Sequence, residues 1–409
     1  MTVTAKTSAP SSFRSVLAVR NFLLLWIGET VSVLGDQFYL VALPWLALQL
    51  TGSGLALGSV LMTAAIPRAA FMLAGGVATD RMSARSVMIA SNVMRCAIVT
   101  VLTVLVAAHM IRMWHLYVAA AAFGMFDAFF YPAYISIMPA VLEPVHLRAG
   151  NSLMQSSVQL TGLIGPGSAG IVVGSAGIAA AFGLDAISFI VSIGMLAMIA
   201  TAASGPVLDG FSVLASIREG IEYAVSHPVI RSLLVMYAVM NLCLTGPFMV
   251  GAPLLAQERF NGATAFGFLL SSFGAGALAG TIAAGRDRRQ RRLGPMLVAV
   301  YSAAGITMIT LGVITRLWLS CAVLLLLGVL AGYNNVQMLA YLQRETEPAK
   351  MGRVMSLIMF CSQGLLPISY LASGIITRIG VTILFLASGI AVMLASALLF
   401  RIPQFWRDE

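Results

Sequence analysis

Six ionisable side chains stand inside otherwise apolar stretches: the acids Glu29, Asp36, Asp127 and Asp185 and the bases Arg68 and Arg95. An ionised carboxylate away from water is costly unless it is paired or protonated, so acids in this setting are candidates for charge pairing or for binding and releasing a proton. Asp36 comes first. In the run FLLLWIGETVSVLGDQFYLVALPWLALQL (22–50), Glu29, Ser32, Asp36 and Tyr39 recur at i, i+3, i+7 and i+10, one polar stripe on an oily rod. Asp36, Arg68 and Asp127 lie near the middle of their runs, Glu29 and Arg95 toward one end. A carboxylate and a guanidinium at one depth can pair, which makes Arg68 the expected charge partner. Asp36 is then the expected proton-coupling residue, with Glu29 and Asp127 as second candidates; a static ion pair tying the first two runs together is the alternative. Asp185, near the outer end of its run, is expected to make a helix-end hydrogen bond.

These side chains need a scaffold that keeps them from lipid. Of the 409 residues 59% are hydrophobic and 10% charged, and the mean hydropathy is +0.94, values that exclude a soluble globular domain. Twelve apolar runs are each near the roughly 20 residues that cross a bilayer: 22–50, 54–78, 86–108, 114–141, 150–174, 178–201, 232–256, 262–285, 293–315, 317–342, 353–377 and 380–401. The expected fold class is therefore all-α integral membrane, twelve transmembrane helices in two six-helix pseudo-symmetric bundles. The expected domains are a cytoplasmic tail 1–21, a bundle 22–201, a cytoplasmic linker 202–231, a second bundle 232–401 and a tail 402–409. Of the 24 Lys and Arg, Arg68 and Arg95 lie within runs. Only Arg112, Arg259, Arg316 and Arg378 fall on the side opposite the N-terminus, which leaves eighteen on its side. The positive-inside rule places both termini in the cytoplasm. The net charge of +9 is dispersed between runs, a topology signal and not a nucleic-acid surface. Cys96, Cys243, Cys321 and Cys361 are widely and irregularly spaced within runs, neither a disulfide framework nor a metal site.

The linker carries FSVLASIREGIEYAVSHP, whose Phe211, Leu214, Ile217, Ile221 and Ala224 share a helical face, as a surface helix joining two halves would. An internal repeat runs at an offset of 204 residues, the distance from Glu143 to Glu347: it lays Glu143-Pro144 on Glu347-Pro348, Gly76 on Gly280, Ser152-Leu153 on Ser356-Leu357 and Gly170 on Gly374. Two parallel six-span halves place a substrate site between them at the bilayer midplane. Polar stripes supply candidate lining residues: Tyr39; Tyr131 and Tyr134 beside Asp127; Gln155 and Gln159 beside Asn151; Asn241 beside Tyr237; Asn334 and Gln337; and Gln363. Interhelical hydrogen bonding accounts for any single one of them equally well.

The run Gly76-Val77-Ala78-Thr79-Asp80-Arg81-Met82-Ser83-Ala84-Arg85 resembles the signature loop between spans two and three of the major facilitator superfamily. That resemblance implies a gating element made of Gly76, Asp80, Arg81 and Arg85. The second half departs from the pattern, with Ala284 where the Asp would stand. Gly162-Leu163-Ile164-Gly165-Pro166-Gly167-Ser168-Ala169-Gly170 resembles the Gly-Pro motif of exporters in the same superfamily, and a helix bend at Gly165, Pro166 and Gly170 is expected. With Gly35-Asp36, Val41-Ala42-Leu43-Pro44, Thr51-Gly52-Ser53, Ala56-Leu57-Gly58, Tyr131-Pro132-Ala133 and Met138-Pro139, the chain is similar to the exporter subgroup that holds macrolide-efflux and enterobactin-exporter proteins, and more distantly lysophospholipid transporters. In that superfamily spans 1, 2, 4, 5, 7, 8, 10 and 11 line the cavity.

The resemblance implies a secondary active transporter, an antiporter exporting hydrophobic drugs or a siderophore-like metabolite against protons, in a bacterial inner membrane. The alternatives are a lipid or lysophospholipid transporter and a ferroportin-like divalent metal exporter using Asp36 and Cys243. Against the metal reading, His109, His115, His146 and His227 all fall at ends or loops. An intramembrane enzyme would need a nucleophile with a base or a carboxylate pair for a metal, and the sequence holds neither arrangement. The expected partners are a small-molecule substrate, protons and the bilayer, with no cofactor, no metal, no nucleic acid and a monomeric state.

Overall fold

The protein is described from a computed structural model covering residues 13–200, 226–260, 262–287, 293–347 and 350–398. The amphipathic linker segment 211–225 lies outside the described residues, as do the side chains of Gly76, Asp80 and Arg81. Among the described residues twelve helices are long and apolar enough to cross a membrane. They are α1 (Arg20–Thr51), α2 (Gly54–Arg81), α3 (Ala84–Ala107), α4 (Met113–Val141), α5 (Pro144–Ala176), α6 (Ile178–Ala197), α7 (Ile230–Phe260), α8 (Ala263–Arg286), α9 (Leu293–Val313), α10 (Leu317–Glu345), α11 (membrane stretch Leu357–Ile376) and α12 (Val381–Leu398). The helices alternate in direction. The end at which α1 starts is the proximal end, the opposite one distal.

Local chemistry sets the boundaries. Gly52 ends α1 in the left-handed conformation at φ 62°, donating its N–H to the Leu48 carbonyl, a conformation that side chains with a Cβ adopt at a cost. Ser83 caps α3 by accepting the Ser86 N–H. Pro144 opens α5 behind Glu143, so this helix starts six residues earlier than its apolar run. A backbone in lipid must satisfy its own polar groups, and these helices do so almost throughout. Two are broken. In α7 a π turn at Asn241–Thr245 separates Pro228–Met240 from Gly246–Phe260; in α11, Met351–Gly364 gives way at Leu365 to Leu366–Ile376. Ser369 of α11 repairs the first break, donating to the Leu242 carbonyl at 2.6 Å and accepting the Gly246 N–H at 3.0 Å. Ser388 of α12 donates to the Cys243 carbonyl. α5 stays helical through Pro166.

α1 packs on α5 and α6, α2 on α4, and α3 on α4 and α6; in the second half α8 packs on α10 and α9 on α12. Between the halves, α5 lies against α8 and α2 against α11. Both contacts are glycine seams in the distal half. A Cβ on Gly267 would strike the Pro166 carbonyl and stand 2.8 Å from the Gly170 Cα; a Cβ on Gly58 would stand 2.5 Å from the Tyr370 carbonyl and 3.1 Å from the Gly374 Cα. Thr264 donates to the Gly170 carbonyl at 3.1 Å, and the Gly167 N–H donates to Ser271 Oγ at 2.8 Å. Small residues thus let backbones approach where lipid offers no hydrophobic drive. Gly170 and Gly374, paired by the internal repeat, sit in the two seams.

The apolar cores follow the same division. One cluster joins distal residues of both halves, including Phe38, Leu46 and Phe182 with Phe248, Phe266 and Phe385. Two others are confined to single halves at the proximal end, one around Phe22, Met88, Ile137 and Leu196, the other around Leu233, Leu297, Tyr301 and Leu342. The molecule is closed distally and divided proximally. Large apolar side chains such as Val104, Val118, Ile190, Trp318 and Leu394 remain exposed, as bilayer-facing positions should. A leucine at Gly267 should force α5 from α8, so a cysteine at Ser271 should react several-fold faster with a membrane-impermeant maleimide in Gly267→Leu than in the parent. Equal rates would mean that this seam does not close the distal end.

Candidate functional site

Periodicity on α1 turns Glu29, Ser32, Asp36 and Tyr39 into the first bundle, where α3, α4 and α6 bring their own polar residues to meet them. Arg95 of α3 is the hub. It is 1% exposed, and its guanidinium carbon lies 4.4 Å from the Phe130 ring centroid, 4.7 Å from Phe189 and 5.6 Å from Phe123. Aromatic faces hold a weakly hydrated guanidinium well, as they would not an ammonium. Arg95 donates to Asn92 Oδ1 at 2.6 Å and approaches Asp127 at 3.3 Å and Asp36 at 3.7 Å. Asp127 also pairs with Arg68 Nε at 3.0 Å. A continuous polar chain therefore runs from Arg68 through Asp127 and Arg95 to Asn92, then to Ser192 at 3.0 Å and on to Glu29, which accepts from Ser192 at 3.5 Å.

Arg68 pairs with one of the two acids at its depth, and a different cation stands beside the other. Arg68 serves Asp127, and the cation beside Asp36 is Arg95, which stands within 4 Å of both acids. Asp185 also departs from expectation. It lies two turns into α6, 0% exposed, with the Ser188 hydroxyl at 3.4 Å from Oδ1 and Oδ2 without a hydrogen-bond partner. A Cβ on Gly35 would stand 2.8 Å from its Oδ1, so the small residue before Asp36 makes room for this second acid. Glu29, Asp36, Asp127 and Asp185 thus face two arginines, Arg68 and Arg95. Asp36 keeps 34% of its side chain accessible and Asp127 keeps 20%.

Beside this cluster, between the two halves, a cavity of about 500 Å³ is lined by α2, α4, α7, α10 and α11. That size falls in the range of small-molecule sites. Arg68, 42% exposed, is the one charged residue on its described wall. Of the expected lining residues, Tyr131 and Gln363 are on this wall. Asn241 and Asn334 line a second cavity within the other bundle. Tyr39 does not line either: it stacks on Phe123 at 4.1 Å and its hydroxyl is buried, because the stripe it belongs to faces its own bundle. Tyr134 stacks on Phe130 at 6.4 Å. Gln155 is exposed on α5, Gln159 is half-buried, and neither is on a described cavity wall; nor is Gln337, whose neighbours Asn335 and Met338 are. Arg95, Asn92, Ser192 and Asn335 were not among the expected site residues. Arg95 and Asn92, one turn apart in an apolar run, carry the signal that would have found the hub.

The motif residues take up distinct places. Arg85 donates from Nε to the Leu196 carbonyl at 2.7 Å and from Nη2 to the Ala197 carbonyl at 2.5 Å, satisfying the last carbonyls of α6. Gly165 receives the Gln37 side chain of α1, while Pro166 and Gly170 lie against α8. In the second half Asp287, three residues beyond Ala284, accepts from the Tyr333 hydroxyl of α10 at 2.8 Å.

Comparison with known proteins agrees with this architecture. The chain is 26% identical over 402 residues to multidrug efflux pump Tap of Mycolicibacterium fortuitum, covering 93% of this chain and 95% of that protein. It is 22% identical to macrolide efflux protein A of Streptococcus pyogenes, over 91% and 93% of the two chains, and 23% identical to enterobactin exporter EntS of Escherichia coli O1:K1 / APEC, over 56% of each. Its fold is similar to that of a bacterial homologue of the iron transporter ferroportin in an inward-facing state, with a TM-score of 0.70 at 17% identity over 94% and 98% of the chains. It is also similar to the nucleoside transporter NupG, with a TM-score of 0.67 at 12% identity over 95% and 100%. Residues 25–369 match the model of the Major Facilitator Superfamily, and with twelve membrane-length helices built around a central cavity the chain belongs to that superfamily of secondary transporters.

Proposed function

We propose that the protein exports hydrophobic drugs or a siderophore-like metabolite in exchange for protons, by alternating access of the bundles 22–201 and 232–401 about the central cavity. The observation that carries this reading is Asp36, partly accessible and 3.7 Å from an arginine that Asp127 also engages. Two acids competing for one buried cation give the cluster a reason to take up and release a proton as its surroundings change. Glu29, joined to the same cation through Ser192 and Asn92, and Asp127 are the further coupling candidates; Arg68 couples the cluster to whatever occupies the cavity. The efflux named for two relatives that span most of the chain supports the export direction.

The same reading assigns the distal seam to the Gly165, Pro166 and Gly170 motif and the proximal gate to Gly76, Asp80, Arg81 and Arg85. The excess of Lys and Arg on the proximal side supports a cytoplasmic position for both termini in a bacterial inner membrane. In this orientation the present cavity opens inward. A green fluorescent protein fused after Glu409 should then fluoresce in bacterial cells; a dark, full-length fusion would reverse the orientation.

Asp36→Asn should abolish efflux of the dye Hoechst 33342 driven by a pH gradient in proteoliposomes while sparing expression. Undiminished efflux would remove Asp36 from coupling. Arg95→Met leaves Asp36 without its cation and Asp127 with Arg68 alone, and should cost about 1–3 kcal/mol, read by denaturation in detergent. Adding Asp127→Asn should recover more than half of that loss, and additive losses would show that the two residues do not share one network.

A further inference from the structure

The offset that relates the halves also relates their interiors, and there the two bundles differ. Carried forward by that offset from Glu143 to Glu347, Asp36 falls on Met240, Asp127 on Ala331, Arg95 on Ala299 and Phe130 on Asn334. Met240, Ala331 and Asn334, with Val300 next to Ala299, all line one cavity of about 350 Å³ between α7, α8, α9 and α10. Where the first bundle is filled by its ions, the second is hollow. Its wall is mostly apolar, with Leu244, Phe248, Leu327 and Leu330 beside Met240, and no charged side chain is on it among the described residues. Tyr237 and Asn335 belong to the walls of both this chamber and the central cavity, so the two spaces adjoin.

The chamber follows α7 from Tyr237 to Met249, a length of about 18 Å at the rise of an α-helix. The π turn of α7 falls within that length. An apolar wall of this length can take an alkyl chain, because each methylene moved onto it from water is favourable. At its other side the central cavity offers Arg68, held by Nε to Asp127 and still 42% exposed. A guanidinium presented in this way binds a planar or tetrahedral anion.

We propose that the second bundle binds the apolar tail of the transported molecule, and that this molecule is an elongated amphiphile whose anionic head lies against Arg68. The first bundle handles charge and the second handles apolar surface. This rests on the transport reading for its physiological meaning, but the test reads binding without a gradient, so a failure of proton coupling leaves it untouched.

The experiment is saturable binding of radiolabelled dodecyl phosphate to the full chain in phosphatidylcholine nanodiscs, with empty nanodiscs as background, competed by hexyl phosphate and by dodecyltrimethylammonium. Dodecyl phosphate should bind at least about tenfold more tightly than either competitor. Ala331→Phe, which fills the chamber, should bring dodecyl phosphate down to the affinity of hexyl phosphate while leaving the latter unchanged. Leu330→Trp serves as a second filling variant should the first lose its melting transition. Arg68→Gln should remove the preference for phosphate over ammonium and keep the preference for the longer chain. Equal affinity for the two chain lengths in the parent, a chain-length preference that survives both filling variants, or tightest binding of the ammonium compound would each overturn the proposal.

Discussion

Everything in the first bundle is arranged around one guanidinium held out of water. A cation so far from water needs compensation, and the bundle supplies it with three aromatic faces, an amide oxygen and two carboxylates from different helices. Each of those partners fixes the rotation of its own helix. Asp36 orients α1 and Asp127 orients α4, while Phe189 and the Ser192 to Asn92 bond orient α6. In a medium where apolar packing gives helices no reason to prefer one face, a satisfied buried charge is what selects a unique arrangement.

The same physics explains which parts of the molecule are legible in the residues. Twelve runs become twelve spans because length and hydropathy act locally. Asp36, Asp127 and Arg68 stand out because charge in an apolar run has few innocent explanations. The partner of each charge is another matter. Periodicity says which way a side chain leaves its own helix and is silent on what waits across the gap, so Arg68 at the depth of Asp36 looks a better match than Arg95, which reaches Asp36 along its length from another depth. Asp185 misleads for a related reason: a position near the end of a run suggests wet surroundings, yet α6 leans on α1 there and Gly35 admits the carboxyl into the packing.

The interruptions in α7 and α11 are not marked locally either. α5 stays helical through Pro166, whereas α7 and α11 are interrupted at Asn241–Thr245 and at Leu365. A proline removes one donor, and a helix tolerates that when its neighbours are glycines that let another backbone approach. A break needs a receiver for the freed carbonyls, and Ser369 and Ser388 supply it from helices more than a hundred residues away in sequence. Nothing local announces such a receiver.

The seams between α5 and α8 and between α2 and α11 have a consequence for speed. Where side chains interlock, separating two helices means re-sorting many rotamers, and the barrier grows with each. Here main chain rests on main chain, held by a Thr264 hydroxyl and a Gly167 amide. Such smooth surfaces can part and rejoin with little internal reordering, like two planed boards instead of a zip fastener.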